Sequence, residues 1–247
     1  MGYFDQTVTE GILFAGELGL DGEIKPVRGI LPIVREAASK GIRCGIVSAG
    51  NAVEGAAISE IEIRGAEHIC QVIDFLQEDK GDRDKILPPV RPDEKGLWSQ
   101  QGSLPDFSDV CGQEGAVRAA EIAAAGFHNL LMIGPPGAGK SMIAKRIPGI
   151  LPPLTKEESM EVSAIYSVAG LLKETQPIVT GRPFQNPHHT VTKAALTGGS
   201  SVPRPGIMSL AHRGVLFLDV LRGFARSTLD CMRQPLEEHE VQLARAY

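Results

Sequence analysis

Residues 134–141 of the 247-residue chain read Gly134-Pro135-Pro136-Gly137-Ala138-Gly139-Lys140-Ser141. This octapeptide has the pattern GxxxxGK[ST], and it directly follows the apolar run 129–133. The run is too short for a helix and suits a strand buried on both faces, and a helix over 142–147 is predicted to follow. A strand, a glycine loop and a helix in this order predict a P-loop, which binds the phosphates of a nucleotide.

Each residue type in this loop has a chemical reason to be there. The three glycines allow successive backbone N–H groups to point inward at a triphosphate, and the following helix start adds partial positive charge. Lys140 is expected to reach the β- and γ-phosphates, and the Ser141 hydroxyl is expected to ligate Mg²⁺. A purely structural glycine turn is the alternative, but such a turn requires neither the lysine nor the serine.

A second phosphate-site element is predicted at residues 214–219, which read Gly-Val-Leu-Phe-Leu-Asp. Four apolar residues before an acid form the Walker B pattern, in which Asp219 would hold Mg²⁺ through water. The next residue is Val220, and an aliphatic side chain can neither accept a proton nor orient water. Nucleotide binding is therefore expected to survive and hydrolysis to suffer, and Glu237, Glu238 and Glu240 are not expected to replace the missing base.

The composition narrows the class of protein. A formal charge of −5 with 43% hydrophobic and 22% charged residues is typical of a globular protein and excludes disordered and fibrous classes. The sequence contains neither an apolar run of membrane-spanning length nor a signal peptide, so a cytoplasmic protein without membrane contact is expected.

The charge is unevenly distributed along the chain. Residues 1–104 hold 17 acidic and 11 basic residues, a net charge of −6, whereas residues 105–247 hold 13 and 14, a net charge of +1. Within 176–226 a single acid, Asp219, stands against six basic residues: Arg182, Lys193, Arg204, Arg213, Arg222 and Arg226. This stretch could face a polyanion such as DNA, or could be an ordinary solvated surface.

Apolar periodicity and turn residues divide the chain into three segments. Residues 1–78 predict a small α/β unit with a strand at 11–18, a hairpin turn at Asp21-Gly22, a helix at 30–40, a strand at 44–47, a short helix from 51, a strand at 61–63 and a helix at 67–76. Residues 79–104 are charged and rich in proline, which predicts a linker. Residues 105–247 form the predicted nucleotide-binding unit, with an alanine-rich helix at 113–125.

With these motifs in place, the chain resembles the magnesium-chelatase-like AAA+ ATPases of the YifB/ComM competence-protein family. The resemblance rests on segments that cover nearly all of 105–247, among them DFSDVCGQEGAVRAAEIAAAGFHNLLMIGPPGAGKS, IPGILPPLTKEE, RPFQNPHHTVTKAALTGG and LDCMRQPLEEHEV. The segment GELGLDGEIKPVRGILPIVREAASKGI resembles the N-terminal domain of that family, which is similar to the proteolytic domain of Lon.

The resemblance implies a fold, a ligand and a set of partners. The fold would be an α/β AAA+ core, with a parallel sheet flanked by helices, preceded by a partial Lon-like α/β domain without protease activity. The ligands would be ATP and Mg²⁺, with Val110, Cys111 and Gly112 near the adenine. Full-length relatives would form hexameric rings that act as DNA helicases in recombination and natural transformation, and the stretch 176–226 would face the DNA.

The chain also departs from the family pattern. It reads Asp-Val-Leu-Arg-Gly-Phe over 219–224 where relatives usually read DELPEF, and Ile207 replaces an acid. By family order, the sensor-1 strand, the arginine finger and the C-terminal lid would follow Tyr247, and the Lon-like domain would begin before Met1. We therefore expect a chain truncated at both ends that binds MgATP and hydrolyses it poorly.

Three further alternatives concern function and metal binding. The chain could be a non-catalytic module whose subunit interface is ordered by ATP, or a motor subunit of a magnesium chelatase. His188 and His189 suggest a metal site, but adjacent side chains of an extended chain point to opposite faces, so a structural or pore-facing loop is the stronger prediction.

Overall fold

The computed structural model of the protein describes residues 8–78, 82–99, 105–199 and 203–238. The chain divides into two compact units, and each unit is formed by two separate segments of the chain. The first unit comprises residues 1–99 and 163–179, and the second comprises 100–162 and 180–247. Among the described helices, none combines the length and the apolar character that crossing a membrane requires.

The first unit is built on a three-stranded parallel sheet in the order β1-β4-β5, formed by Ile12–Ala15, Cys44–Ser48 and Glu62–Ala66. The central strand β4 is almost entirely buried, as a strand covered on both faces must be. Helices α1 (Ile30–Ser39), α2 (Ala49–Gly55) and α3 (Ile69–Gln77) connect and flank these strands. This α/β unit was predicted from the sequence, with boundaries that differ by a few residues.

The predicted strand 11–18 is divided in the structure into β1 and β2 (Glu17–Leu18). Gly16 lies at the division, where a Cβ atom would approach Ile24 Cγ2 to 2.5 Å. Strand β2 pairs antiparallel with β3 (Ile24–Lys25), and Gly22 takes a φ of +91° in the connecting turn. The hairpin predicted at Asp21-Gly22 is therefore confirmed.

Part of the predicted linker packs onto the first unit. Short helices α4 (Arg83–Ile86) and α5 (Glu94–Leu97) lie in it, and Leu87 joins a buried cluster with Ile46 and Phe75. The Leu87 carbonyl accepts a hydrogen bond from the Arg64 guanidinium. Charge and proline content did not reveal this contact because it depends on one leucine and on a distant arginine.

Residues 163–179 also belong to the first unit, although the predicted boundaries placed them in the second. They begin within helix α9 (Lys156–Ala169), and Ser167 accepts a hydrogen bond from Leu31 N at 3.3 Å. The Ser167 hydroxyl in turn donates to Glu54, and burial raises the pKa of the Glu54 carboxyl. This polar contact holds the returning segment against the start of α1.

The second unit contains mainly short helices. Their bounds are α6 (Glu114–Gly126), α7 (Lys140–Ala144), α8 (Ile147–Ile150), α10 (Lys193–Thr197), α11 (Ile207–Leu210), α12 (Arg226–Asp230) and α13 (Arg233–Glu238). The alanine-rich α6 packs against α7 and α8. Thr155 and Glu158 form a capping box, with reciprocal hydrogen bonds of 3.1 Å at the start of α9.

The parallel sheet of the second unit is smaller than predicted. Strand β6 (Phe184–Gln185) pairs in parallel with β7 (Val215–Leu216), which lies within the predicted strand 214–218. The predicted buried strand 129–133 is wrong for the described structure: no strand is assigned there, and Leu131 and Ile133 are 71% and 90% exposed. An apolar run becomes a buried strand only beside a partner, and none of the described strands pairs with this run.

The predicted helix 142–147 is also divided. Helix α7 begins earlier, at Lys140, and ends at Ala144, and α8 starts again at Ile147 with Pro148 in its first turn. Proline suits the first turn of a helix because its missing N–H would have no partner there.

Candidate functional site

The glycine loop has the backbone conformation that its sequence predicts at two of its three glycines. Gly137 and Gly139 take φ values of +80° and +77°, in the left-handed region that favours glycine. A Cβ atom on Gly137 would meet nothing within 4 Å, so glycine is required there by the backbone and not by space. The loop residues 134–137 are exposed to solvent, and α7 follows directly.

Lys140 is the first residue of α7, and its side chain folds back over the loop. The Lys140 ammonium donates hydrogen bonds to the carbonyl oxygens of Gly134 at 2.9 Å and of Pro135 at 2.8 Å. These two carbonyls hold the positive charge beside the loop, where an anion could replace them as its partner.

Ser141 and Asp219 lie 78 residues apart in the chain and meet in the structure. The Ser141 hydroxyl donates to Asp219 Oδ2 at 3.1 Å. The other carboxylate oxygen, Oδ1, accepts a hydrogen bond of 2.9 Å from the backbone N–H of Val220. The structure therefore brings together the two oxygen groups that were predicted separately, from two motifs, to hold Mg²⁺.

Val220 has a backbone conformation that sequence reasoning did not anticipate. Its φ and ψ are 53° and 58°, and its side chain is 63% exposed. A β-branched residue in the left-handed region is rare because Cβ crowds the backbone, at a cost of roughly 1–2 kcal/mol. The residue that cannot act as a base is therefore also a point of backbone strain beside Asp219.

The segment predicted to lie near the adenine forms one wall of an open cavity of about 300 Å³. Val110 and Gly112 line this cavity together with Phe107 and with Val117 of α6. Cys111 is exposed and, unlike Val110 and Gly112, does not line the cavity. Three charged residues of α6, Glu114, Arg118 and Glu121, complete the lining, so apolar and charged side chains share this open cavity.

Comparison with known proteins identifies the family. Residues 106–247, more than half of the chain, match the family model described as magnesium chelatase, subunit ChlI. The chain belongs to this magnesium chelatase family. Residues 2–51 match a second model, described as subunit ChlI of Mg-chelatase.

Longer relatives align over nearly the whole chain. An uncharacterized protein of Mycobacterium tuberculosis is 45% identical over 96% of this chain and 46% of its own length. The uncharacterized protein YifB of Escherichia coli is 41% identical over 93% of this chain and 44% of its own. The competence protein ComM of Haemophilus influenzae is 39% identical over 94% of this chain and 45% of its own length. The chain thus spans about half the length of the curated relatives it matches, and these relatives support an AAA+ ATPase family.

The expected likeness to Lon has weaker support. Lon protease 2 of Bacillus subtilis is 27% identical over 57% of this chain and 27% of its own length. The mixed α/β architecture with parallel strands agrees with an AAA+ protein, whereas a Lon-like first unit rests on this partial match.

Two of the six basic residues in 176–226, Arg182 and Arg213, bind other groups of the protein itself. The Arg182 side chain is 4% exposed and donates to the carbonyl oxygens of Pro152 and Arg213 at 2.5 and 2.7 Å. Arg213 forms ion pairs with Glu158 and Glu161, and the hydrogen bond to Glu161 raises the pKa of Arg213. The Arg213 side chain is 42% exposed, but two acids already pair with it. Lys193, Arg204, Arg222 and Arg226 are exposed as well.

The expectation that His188 and His189 point to opposite faces is wrong, because their rings lie against each other with centroids 4.0 Å apart. The His188 Nδ1 atom is 2.8 Å from the Thr190 hydroxyl, and a Cβ on Gly223 would lie 3.0 Å from the His189 ring. Within the described ranges, no group of three or more His, Cys, Asp or Glu side chains is arranged to hold a metal ion. The side chains of Glu237, Glu238 and Glu240 lie outside the described part of the structure.

Proposed function

We propose that the second unit binds MgATP and that this chain hydrolyses it slowly. The observation that carries the proposal is the hydrogen bond of 3.1 Å between Ser141 and Asp219, which joins the end of the glycine loop to the acid after β7. A glycine turn with a purely structural role would have no reason to place a carboxylate beside its serine.

In the proposed complex, the phosphates occupy the loop 134–139 and take hydrogen bonds from its backbone N–H groups. Lys140 exchanges the carbonyls of Gly134 and Pro135 for the β- and γ-phosphates, since a phosphate oxygen is a stronger acceptor for an ammonium than a carbonyl. The exposure of 134–137 leaves room for this exchange.

The Ser141 hydroxyl and the Asp219 carboxylate fit the requirements of Mg²⁺. This cation prefers oxygen ligands and usually keeps several waters, with one or two protein groups and the substrate phosphates completing the site. When bound, Mg²⁺ neutralises charge that develops on the phosphates. Val220 N–H orients the carboxylate through Oδ1 and leaves Oδ2 directed at Ser141.

Slow turnover is proposed because Val220 follows Asp219. The position offers no group that could take a proton from an attacking water, and the loss of a positioned base typically costs ~10²–10⁴ in rate. Binding and turnover should therefore respond to different residues: binding to Lys140, and turnover to position 220.

A calorimetric titration of the protein with ATP in the presence of Mg²⁺ tests the proposal. We expect saturable binding by the wild type and by Lys145→Ala, and loss of binding by Lys140→Ala. Lys145 is an exposed neighbour outside the motif, so it controls for the loss of one positive charge. Equal affinity of Lys140→Ala and the wild type would contradict the proposal.

A non-catalytic module is the second candidate, because Val220 is both aliphatic and strained. In this case, ATP would order an interface and would not be consumed. Mg²⁺-dependent ATP turnover that Lys140→Ala abolishes would exclude it, whereas ATP binding without turnover would support it.

The wider role is proposed from the relatives. A hexameric ring acting on DNA in recombination and transformation is proposed for the full-length form, and a chelatase motor is the alternative that the family description supports. The DNA surface would be limited to Lys193, Arg204, Arg222 and Arg226. Affinity for single-stranded DNA that falls steeply with added salt would support this surface, and the absence of binding at low salt would remove it. The cytoplasmic location stays a prediction.

A further inference from the structure

Arg146 holds three groups with one guanidinium. Its Nε donates to the Asp106 carbonyl at 2.7 Å, one terminal nitrogen donates to the Met142 carbonyl at 3.1 Å, and the other donates to Asp109 Oδ2 at 3.3 Å. The side chain is 14% exposed. The planar guanidinium of arginine carries its donors on three separate nitrogens at fixed angles, whereas the three donors of a lysine ammonium all radiate from one rotating nitrogen.

Two of these acceptors belong to the turn beside the 300 Å³ cavity. Residues Phe107–Asp109 form a single 3-10 turn, and Asp106 caps it by accepting from Ser108 N at 2.7 Å. Hydrogen bonds from the backbone and side chain of Ser108 lower the pKa of Asp106, and the charge of Arg146 lowers it further. A turn of three residues has little stability of its own, so its position depends on such outside contacts.

The third acceptor belongs to the helix that carries the phosphate-binding residues. Met142 follows Ser141 directly in α7, and its carbonyl is one of the last four in a helix only five residues long. The last carbonyls of a helix lack partners within the helix, and Arg146 supplies one. The same side chain thus holds α7 and the turn that precedes Val110.

We propose that Arg146 is a positioning residue that fixes the adenine side of the site relative to its phosphate side. The inference rests on the proposed function, because it presumes that the nucleotide base enters the cavity lined by Phe107, Val110 and Gly112. In this role Arg146 acts on the protein and not on the nucleotide. Its hydrogen bonds hold the turn beside the cavity and the helix that carries Lys140 and Ser141 in one arrangement.

A positioning role predicts a loss that depends on the base. Arg146→Gln should weaken ATP binding about tenfold, because a set of charge-assisted hydrogen bonds is lost and the turn is released. Binding of inorganic tripolyphosphate, which has no base to place, should change less than about twofold. Lys145→Gln removes the same charge from the neighbouring, exposed position and should change neither ligand.

Two more variants distinguish the geometry of the Arg146 guanidinium from its charge, and from an effect on folding. Arg146→Lys keeps the charge and loses the planar guanidinium, so it should resemble Arg146→Gln. Asp109→Asn alters only an acceptor whose side chain is 61% exposed, so it should fold normally and weaken ATP binding about threefold, again without affecting tripolyphosphate.

The experiment is a titration of the wild type and these variants with ATP and with tripolyphosphate, both with Mg²⁺, after circular dichroism has established that each variant is folded. A selective loss of ATP affinity in Arg146→Gln and Asp109→Asn supports the inference. Equal losses for both ligands, or full affinity in Arg146→Lys, would overturn it while leaving the proposed function intact. Failure of the wild type to bind either ligand would overturn both.

Discussion

Two short apolar runs of this protein occupy similar positions in the sequence, each ahead of a helix, and have different structures. Residues Cys44–Ser48 and 129–133 each precede small residues and a helix start. The first run is the central strand of a parallel sheet, paired on both sides and buried. The second run has no regular secondary structure and is mostly exposed, and none of the described strands pairs with it. The difference shows that burial depends on neighbours, whereas the glycine loop after 133 takes its conformation from its own residues.

The largest effect should come from the loop that follows the exposed run. Lys140→Ala should weaken MgATP binding by at least about a hundredfold, because the charge-assisted contacts to two phosphates are lost. If the loop takes its conformation from its own residues, this change should not disturb the rest of the fold. Thermal unfolding should be nearly unchanged, since the Lys140 ammonium contacts only loop carbonyls. Calorimetry and circular dichroism measure the two properties, and a large fall in stability would show that the loop is not locally determined.

The second test compares equal truncations in the two runs. Ile46→Ala removes a side chain that is 3% exposed and should lower the free energy of unfolding by about 2–4 kcal/mol. Ile133→Ala removes one that is 90% exposed and should change it by less than about 0.5 kcal/mol. Denaturant unfolding measures both, and similar losses would mean that residues 129–133 are buried in solution.

Much of this contrast could be predicted from the sequence, and part could not. The loop, its glycine conformations and the pairing of Ser141 with Asp219 follow from residue types and spacing. The exposure of Ile133 could not be predicted, because an apolar residue predicts burial but does not indicate which part of the protein would cover it. The contact of Leu87 with Arg64 and the return of Ser167 to α1 were missed for the same reason, since each joins distant residues without a local pattern.

A third test uses the same residue type in two backbone conformations. Val220→Gly should raise the free energy of unfolding by about 1 kcal/mol, because glycine accepts the left-handed conformation. Val47, in strand β4, is 1% exposed, and Val47→Gly should instead lower it by several times that amount, about 3 kcal/mol. Destabilisation by both glycines would contradict the assigned conformation of Val220.

The smallest expected effect concerns the pH dependence of the first unit. Burial raises the pKa of Glu54, so the folded state retains a proton that the unfolded state has lost. The free energy of unfolding should therefore fall as pH rises from the ordinary carboxyl pKa through the raised value. Glu54→Gln keeps an acceptor for Ser167 and Leu31 but cannot ionise, so its stability should vary less over this range. Unfolding midpoints measured across acidic pH would show the difference, and parallel curves would argue against it.

The Mg²⁺ dependence of ATP affinity tests the central claim most directly. In the wild type, ATP should bind more tightly with Mg²⁺ than with a chelator, because Ser141 and Asp219 supply oxygen ligands 3.1 Å apart. In Asp219→Asn, ATP should still bind through the loop and Lys140, but the advantage of Mg²⁺ should fall by about tenfold, since the charged ligand is lost. An undiminished Mg²⁺ advantage in Asp219→Asn would contradict the assignment of this pair as the metal-binding part of the site.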